Sequence, residues 1–556
     1  MKYRYTTELP THFDFSLPLY IDTETYDNHT KIRLLQLYQP DKDETVYVVD
    51  VSGYPKHFLR SYLSQFKNIF GYNLLYDFEV LEYSFSDVPN FNDLYLASKL
   101  AFYERYTTPN AEWNLYAVIE DVLKIKIDID KKLLQKSDFS AMLLTDIQIK
   151  YAAYDVYYLP LLKKAIEEKL NKVWTHNRVY RLDLFTAKTL LDIHRVGLAI
   201  NKEKLQRMQI ENSARLYEIK SQLPFNPLSP KQVANYFKTE NANEKTLTYL
   251  ASTGNKLAEL VLEVRSLEKT KSFLEKYSRS ERVFGKFNVV GAKSGRMSCS
   301  NENLQQIPRH LRQVFGFTED SDKVYVIADF PQIELRLAAA IWSEDNMISR
   351  FKEGIDLHKY TASVIYNKSI EEVDKQERQI SKSANFGLLY GMGAEKFKDY
   401  VFINTGIDLS IEEARTIRMK WLELFPAIRR KHWEVGSILS QTTYYEGTTW
   451  LGRKYSTSSY TEALNIQIQG SGAELLKTTV KNIYLKHKTS DFEIANLIHD
   501  EIVIETTKDK AYDIAEMLKQ VMEESWQECI NYAKIPLAKF DIEVEMPDIT
   551  KSLEKS

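Results

Sequence analysis

The chain has 556 residues, of which 44% are apolar and 27% are charged, and its formal net charge is −3. This length predicts more than one domain, and no apolar run approaches the about 18–20 residues that a membrane span needs. The two cysteines, Cys299 and Cys529, lie far apart in sequence, which argues against a disulfide framework and a CxxC zinc site. The first residues lack the pattern of an export signal, so a cytoplasmic protein without membrane contact is expected.

The first 183 residues alternate between strand-like and helical patterns. Apolar and β-branched runs predict strands at residues 17–23, 32–38 and 45–51, and helical segments follow them. This alternation is typical of one α/β domain.

The second part of the chain begins with Lys- and Glu-rich helical segments that extend to about residue 286. A strand is predicted at residues 323–330, helices at residues 357–440, and strands again at residues 492–506. The pattern predicts a strand-rich α+β core with a helical insertion and a helical projection.

Acidic residues recur at three places in the first domain. Asp22 and Glu24 end an apolar strand on the same face, because side chains two positions apart in a strand point the same way. Asp77 follows in GYNLLYDFEVL, and Tyr151 and Asp155 lie one helical turn apart. Adjacent acids repel each other unless a cation lies between them, so the set favours metal binding over surface loops.

A second acidic set lies in the later half of the chain. Asp329 ends the apolar run KVYVIAD, and His499, Asp500 and Glu501 lie between two apolar runs, as in a tight hairpin turn. Polar turns between strands are common, so the tripeptide by itself is equally consistent with a turn and with a functional site.

The segment ERQISKSANFGLLYGMG lies between these acids and places Arg378, Lys382, Phe386 and Tyr390 at steps of four on one broad helical strip. One interpretation is an amphipathic helix whose basic side chains extend into solvent. The other is a site where the two cations neutralise a triphosphate and the two rings stack near its sugar and base. The second interpretation also explains the neighbouring acids.

The set DxE, NxxxD and YxxxD, over about residues 17–165, resembles the DEDDy exonucleases. The resemblance implies an RNase H-like 3′-5′ exonuclease domain at residues 1–183 that binds two divalent ions, Mg²⁺, Mn²⁺ or Zn²⁺. It also implies that Tyr151 orients the attacking water. The implied metal ligands and catalytic acids are Asp22, Glu24, Asp77 and Asp155.

Five further motifs occur in the order SGRMSCSNENLQQIPR, ADFPQIELR, RQISKSANFGLLYGM, LNIQIQGSGAELLK and IHDE, and they resemble family A DNA polymerases of the bacterial and phage polymerase I type. The resemblance implies template-directed synthesis from primer-template DNA and deoxyribonucleoside triphosphates, in replication or repair. A monomer is expected, in the cytoplasm of a bacterium or of a phage-infected cell. The chain begins about twenty residues before DTET, so a short form without a 5′-nuclease domain is expected.

The same resemblance implies a multidomain protein in which a right-hand polymerase at residues 184–556 follows the exonuclease. The thumb is expected at about residues 184–287 and the fingers at about residues 357–440. The palm is expected at about residues 288–356 and 441–556.

Roles for single residues follow from the resemblance as well. Two Mg²⁺ or Mn²⁺ ions are expected on Asp329, Asp500 and the backbone carbonyl of Phe330, with Glu501 as a supporting carboxylate and Lys382 as the proton donor to pyrophosphate. The expected nucleotide-binding residues are Arg312, Gln332, Glu334, His358, Arg378, Lys382, Phe386 and Tyr390. The expected contacts to the primer terminus and minor groove are Arg296, Asn465, Gln469 and His499.

Glu334 is expected to crowd a ribose 2′ hydroxyl, and Phe386 to favour substrates with a 3′ hydroxyl over dideoxy analogues. The sequence departs from the pattern of the family at two places: it reads DFPQ where relatives often read DYSQ, and it has Thr461 where many relatives have Arg.

The first rival interpretation is a single-subunit RNA polymerase, which Glu334 and the exonuclease motifs oppose. The second is a DNA-binding accessory protein with inactive sites, which the intact carboxylates oppose.

Overall fold

The computed structural model describes residues 1–27, 30–127 and 137–554. In these residues a mixed six-stranded sheet with the order β1-β4-β3-β2-β5-β6 forms the centre of the N-terminal region. The strands are β1 Lys2–Thr6, β2 Leu19–Tyr26, β3 Lys31–Gln39, β4 Asp43–Asp50, β5 Ile69–Gly71 and β6 Phe91–Asp93. The three predicted strands are confirmed as β2, β3 and β4, with ends that differ by up to three residues.

Helices pack around this sheet and bury its apolar residues, such as Leu19, Ile21 and Leu35. The helices are α1 Lys56–Leu63, α2 Leu74–Val80, α3 Leu94–Ala101, α4 Leu115–Leu123, α5 Asp146–Tyr157 and α6 Leu159–Leu170. Helix α5 begins with a capping box between Thr145 and Gln148 and lies against β2, β3 and β4. It therefore places Tyr151 and Asp155 over the strand that carries Asp22 and Glu24.

Helix α7, Arg178–Val196, runs through the predicted domain boundary at residue 183. It contacts α2 and α3 on the N-terminal side and the longest helix of the C-terminal part, α19, Tyr460–Lys486. The two parts of the chain are therefore joined by a continuous, packed helix.

The helices predicted from about residue 184 to residue 286 are confirmed. After α7 they are α8 Lys202–Gln222, α9 Pro230–Phe237, α10 Glu244–Ser252 and α11 Lys256–Tyr277. They share a separate apolar core that includes Leu216, Ile219, Val233, Leu247 and Val261. A core of its own lets this region keep its shape while it extends from the main body.

An antiparallel sheet with the order β14-β15-β11-β16 forms the centre of the C-terminal part in the described residues. Its strands are β11 Lys323–Asp329, β14 Phe492–Ile498, β15 Glu501–Thr507 and β16 Asp548–Thr550. The strands predicted at residues 323–330 and 492–506 are confirmed. Helix α20, Ala511–Asn531, contacts β11, β15 and β16, and α7 contacts β14. Helices α12 Ile333–Trp342 and α13 Asp345–Lys352 follow β11 in the chain, and α12 packs on α19.

Three short strand pairs complete the described strands. They are β7 Leu198–Ala199 with β8 Arg282–Val283, β9 Lys286–Asn288 with β10 Ser298–Ser300, and β12 Tyr445–Thr448 with β13 Lys454–Thr457. The second pair holds the loop that carries Arg296.

The helical insertion is confirmed as α14 Leu357–Tyr366, α15 Lys375–Gly387, α16 Ala394–Thr405, α17 Ile411–Leu424 and α18 Pro426–Gln441. The single helical strip predicted through Tyr390 is wrong at its end, because α15 stops at Gly387 and Leu388–Tyr390 form a 3₁₀ turn. Gly391 follows with φ +78°, and a Cβ there would lie 2.3 Å from the ring of Tyr460. Close packing against Gly391 thus tightens the chain and turns Tyr390 away from the helix axis.

No described helix is both long enough and apolar enough to cross a membrane.

Candidate active sites: two carboxylate clusters

The first cluster brings together carboxylates from a strand and a helix. One carboxylate oxygen each from Asp22 and Glu24 on β2 and from Asp155 on α5 lies within 4.8 Å of the others. Three carboxylates so close together destabilise one another when all are charged, unless a cation or protons neutralise them. The donor set, all oxygen, suits a divalent cation.

Asp77 joins this cluster from helix α2. The Thr23 hydroxyl on β2 donates a 2.6 Å hydrogen bond to Asp77 Oδ1. Burial raises the pKa of Asp77 to about 7, although the hydrogen bond from Thr23 lowers it. Burial also raises the pKa of Glu24 well above its usual value, and the charges of Asp155 and Asp77 add to this rise. Burial therefore disfavours the charged forms of Glu24 and Asp77 when no cation lies near them.

Tyr151 lies at the edge of the same cluster. Its ring stacks on Tyr116 with centroids 5.9 Å apart and an interplanar angle of 3°. Both rings pack near the carboxylates, and burial followed by the charge of Asp155 raises the pKa of both phenols. Tyr151 is thus a neutral hydroxyl at the wall of a cleft of about 680 Å³ that the four acids also line.

The second cluster forms where two strands of the C-terminal sheet end together. Asp329, the last residue of β11, lies opposite Glu501, the first residue of β15, in the antiparallel register. His499 and Asp500 make the two-residue turn before β15, and His499 adopts φ +57°. The hairpin predicted from sequence is confirmed.

Asp500 and Asp329 interact electrostatically. Burial, and after it the negative charge of Asp329, raise the pKa of Asp500 to about 6. A buried carboxyl beside a second acid in this way fits a site for divalent cations. Phe330, whose backbone carbonyl is predicted to be a further metal ligand, is the next residue after Asp329, and its ring is buried.

Glu501 is held by a predicted nucleotide-binding residue. Nη1 of Arg312 lies 3.3 Å from both carboxylate oxygens of Glu501, which is itself buried. Arg312 therefore neutralises Glu501 in this conformation and stands beside the second cluster. Gln332 adopts φ +48° at the start of α12, two residues before Glu334.

The two cations predicted to bind the triphosphate lie on α15 of the helical insertion. Arg378 binds one oxygen of Asp356 through Nε at 2.9 Å and Nη2 at 2.7 Å. Lys382, one turn further, is exposed and makes no ion pair with another described residue. Phe386 lies one turn beyond Lys382 and is half-buried beside His358, with ring centroids 5.8 Å apart.

His358 is a buried, neutral imidazole. Asn385 Nδ2 lies 2.9 Å from its Nδ1, and burial lowers its pKa to about 4, with Arg378 and Lys382 contributing in the same direction. Its predicted contact to a phosphate would therefore be a hydrogen bond between a neutral ring and an anion.

A cleft of about 920 Å³ opens beside Phe386 and Tyr390. Glu334 lies at its base, where it accepts a hydrogen bond from the Tyr390 phenol and pairs with Arg296. Thr461 lines the same cleft together with Arg415 and Lys396, so two cations from the helical insertion lie near the position where many relatives have Arg.

The remaining predicted DNA contacts lie on two elements. Asn465 and Gln469 are half-buried and one turn apart on α19, so they share one face. His499 is in the turn beside Asp500, and burial lowers its pKa, as does the positive charge of Arg296.

Sequence reasoning missed a buried ion network behind Arg296. Asp183 on α7 binds both Arg453 and Lys477, and Lys477 donates a 2.9 Å hydrogen bond to the carbonyl of Gly295. The Asp183–Lys477 distance is 2.6 Å. The network therefore fixes the backbone next to Arg296. The only signal in the sequence was Lys477 at the end of LNIQIQGSGAELLK, directly after two leucines.

Comparisons with known proteins agree with this arrangement. A family model described as 3'-5' exonuclease matches residues 7–171, and one described as DNA polymerase family A matches residues 197–545. DNA polymerase I of Aquifex aeolicus (strain VF5) is 34% identical over 570 residues, which cover 95% of this chain and 94% of that protein. DNA polymerase I of Chloroflexus aurantiacus (strain ATCC 29366 / DSM 635 / J-10-fl) is 26% identical over 428 residues, 68% of this chain and 44% of that protein.

A solved structure shares the fold over its whole length. The POL domain of Pol1 from M. smegmatis, in a complex with DNA primer-template and dNTP, has a TM-score of 0.78 with 19% identity and 99% coverage of both chains. The polymerase model matches more than half of the chain, so the chain belongs to DNA polymerase family A and carries a 3′-5′ exonuclease domain ahead of the polymerase domain.

Proposed function

We propose that the second cluster adds deoxyribonucleotides to the 3′ end of a DNA primer and that the first cluster removes mispaired nucleotides from the same end. The observation that carries this proposal is the pairing of β11 with β15, which places Asp329 opposite Glu501 and so beside Asp500. The first cluster lines a cleft that neither Asp329 nor Asp500 lines, so each reaction would have its own acidic site.

Asp329, Asp500 and the carbonyl of Phe330 would hold two Mg²⁺ or Mn²⁺ ions in the polymerase site. Bound ions of this kind lower the pKa of the primer 3′ hydroxyl and stabilise the charge on the leaving pyrophosphate. Arg312 pairs with Glu501 close to this site. The Arg312–Glu501 pair thereby supports the backbone turn that carries Asp500.

The fingers helix α15 supplies the groups that meet the triphosphate. Lys382 is exposed, so its ammonium group can reach a phosphate and give a proton to the pyrophosphate as it leaves. Arg378 must exchange Asp356 for a phosphate oxygen, and such an exchange between two anions costs little because one charge-assisted hydrogen bond replaces another. His358 would donate a hydrogen bond as a neutral ring.

Glu334 would select deoxyribonucleotides. Its carboxylate is fixed by Tyr390 on one side and Arg296 on the other, so it cannot easily move away from a 2′ hydroxyl. Phe386, Tyr390 and Gln332 would enclose the sugar and base of the incoming nucleotide. Arg296, Asn465, Gln469 and His499 would contact the primer terminus and the minor groove.

Asp22, Glu24, Asp77 and Asp155 would hold two divalent ions, Mg²⁺, Mn²⁺ or Zn²⁺, in the exonuclease site. Tyr151 keeps its proton because its pKa is raised, so its hydroxyl can donate to the water that attacks the terminal phosphodiester. The stacked ring of Tyr116 fixes the position of that hydroxyl.

Two substitutions test this division of labour. Asp500→Ala should lower primer extension by at least about a thousandfold, or about 4 kcal/mol of transition-state stabilisation, and leave trimming of a single-stranded oligonucleotide unchanged. Asp22→Ala should do the reverse. Both activities are measured on the same labelled primer, with a paired and a mispaired 3′ end. Loss of both activities in either variant, with the fold intact, would contradict two independent sites.

A further inference from the structure

Asp93 is a buried carboxylate that no step of either reaction uses. It ends β6, is 1% exposed and caps helix α3 by accepting hydrogen bonds from the N–H groups of Tyr95 at 2.8 Å and Leu96 at 3.4 Å. The same carboxylate accepts two more hydrogen bonds, from the N–H groups of Asn73 and Leu74, each at 3.0 Å. Those two residues start helix α2, so one side chain caps two helices.

Helix α2 depends on this second cap. It is only seven residues long, Leu74–Val80, and its own N-cap residue, Asn73, makes no side-chain capping bond. Asn73 also adopts φ +68°, an unfavourable conformation for a residue with a side chain. Its N–H group and that of Leu74 would lack partners without Asp93, and unpaired buried N–H groups are strongly disfavoured.

Asp77 lies on α2, four residues after Asn73. The side chain of Asp77 is held by Thr23 on β2, and the backbone that carries it is held by Asp93 on β6. These supports come from two strands on either side of β5. The backbone N–H of Asp93 in turn donates a 2.9 Å hydrogen bond to Tyr180 on α7, which secures Asp93 from behind.

We propose that Asp93 is a positioning residue for the exonuclease reaction: by capping α2 it sets where Asp77 stands in the carboxylate cluster. The inference rests on the exonuclease function proposed for that cluster. Asp93 touches neither the substrate nor the ions, and its effect on them passes through the backbone of α2. Substitution of a group that orients a metal ligand typically lowers metal affinity or activity by about 10–100-fold.

The variant Asp93→Asn tests the proposal because the amide has the same shape as the carboxylate. With Oδ1 kept, the amide nitrogen replaces Oδ2 and points a donor at the N–H of Leu74. Trimming should fall by about 10–100-fold, while primer extension by the same molecule stays within about twofold of the unchanged protein. Raising the Mn²⁺ concentration should recover part of the trimming, since a displaced ligand weakens metal binding.

Two measurements do not depend on activity. The first is a Mn²⁺ titration of a protein that also carries Asp329→Asn and Asp500→Asn, so that most of the binding signal comes from the exonuclease cluster. In this protein, Asp93→Asn should weaken the Mn²⁺ affinity by about tenfold or more. Amide hydrogen exchange at Asn73 and Leu74 should become faster. Asn255→Ala is the matched control, because it removes a helix cap, the 3.1 Å bond to Ala258, from α11 outside the exonuclease region. It should leave trimming and Mn²⁺ binding unchanged.

Asp93→Ser separates the two caps, since serine can cap its own helix α3 but is too short to reach α2. Asp93→Ser should therefore lower trimming and Mn²⁺ binding as much as Asp93→Asn does. Trimming and Mn²⁺ binding at unchanged levels in both variants would overturn the proposal. So would loss of the folded state in both, because Asp93 would then serve general stability. A different outcome would contradict the proposed function: if the wild-type protein and Asp22→Ala trim at the same rate, the exonuclease assignment is wrong. The amide exchange rate at Leu74 would still show whether Asp93 caps α2.

Discussion

The phenol of Tyr390 donates a 2.7 Å hydrogen bond to Glu334, and Arg296 Nη2 lies 3.3 Å from the other oxygen of the same carboxylate. A residue of the helical insertion and a residue that precedes the C-terminal sheet therefore hold Glu334 between them. Burial raises the pKa of the Tyr390 phenol, and the charge of Glu334 raises it further, so the phenol stays protonated and keeps donating. The position of Glu334 is thus fixed before a nucleotide arrives.

Removal of this carboxylate should relax the choice of sugar. Glu334→Ala should raise the ratio of ribonucleotide to deoxyribonucleotide incorporation by at least about tenfold, or about 1.4 kcal/mol, because the space for a 2′ hydroxyl becomes free. The measurement is single-nucleotide extension with each substrate. Tyr390→Phe is the control: it removes one hydrogen bond but keeps the carboxylate, so the ratio should change by less than about threefold. An unchanged ratio in Glu334→Ala would rule out the assigned role.

His358 should act without a charge. Its pKa of about 4, lowered by burial, means that the ring is neutral throughout the range where the enzyme works. His358→Gln can keep a hydrogen bond to Asn385 and to a phosphate, so the nucleotide KM should rise by less than about threefold at about pH 8. His358→Ala should raise it by about fivefold or more. A large loss in His358→Gln, with a pH dependence near 6–7, would indicate a cationic ring instead.

The buried network of Asp183 should be costly to break. Asp183→Asn removes the negative charge shared by Arg453 and Lys477 and leaves two cations buried, which should destabilise the folded protein by about 3–5 kcal/mol. Thermal and denaturant unfolding measure the loss. Asp399→Ala is the control, since its pair with Lys245 is exposed and should contribute about 0–1 kcal/mol. Equal effects of the two substitutions would contradict the structural role of the network.

The two proposed metal sites should respond differently to acid. Protons compete with metal ions for carboxylates, and the pKa of Asp77 is raised to about 7 and that of Asp500 to about 6, in both cases mainly by burial. From about pH 8 to about pH 6, the Mg²⁺ concentration for half-maximal trimming should therefore rise more steeply than that for synthesis. Parallel Mg²⁺ titrations of both activities at each pH provide the comparison. Curves that shift together would contradict the assignment of these pKa values to separate sites.

The sequence by itself determined the local parts of both sites. A strand that carries Asp22 and Glu24, a helix with Tyr151 and Asp155 one turn apart, and a hairpin at His499–Asp500 were predicted and found, although the strand continues past Glu24 to Tyr26. Such features depend on neighbours within one turn of helix or one step of strand, so local patterns are sufficient to specify them.

Only the tertiary structure decided how these parts support one another. Asp183 and Lys477 are 294 positions apart, and Asp93 lies about twenty positions from the helix start that it caps, so no periodicity links them. The turn that removes Tyr390 from its helix depends on the ring of Tyr460 against Gly391, which packing alone brings together. Long-range packing fixes these contacts because each buried polar group must find a partner, and which partner is within reach depends on the whole fold.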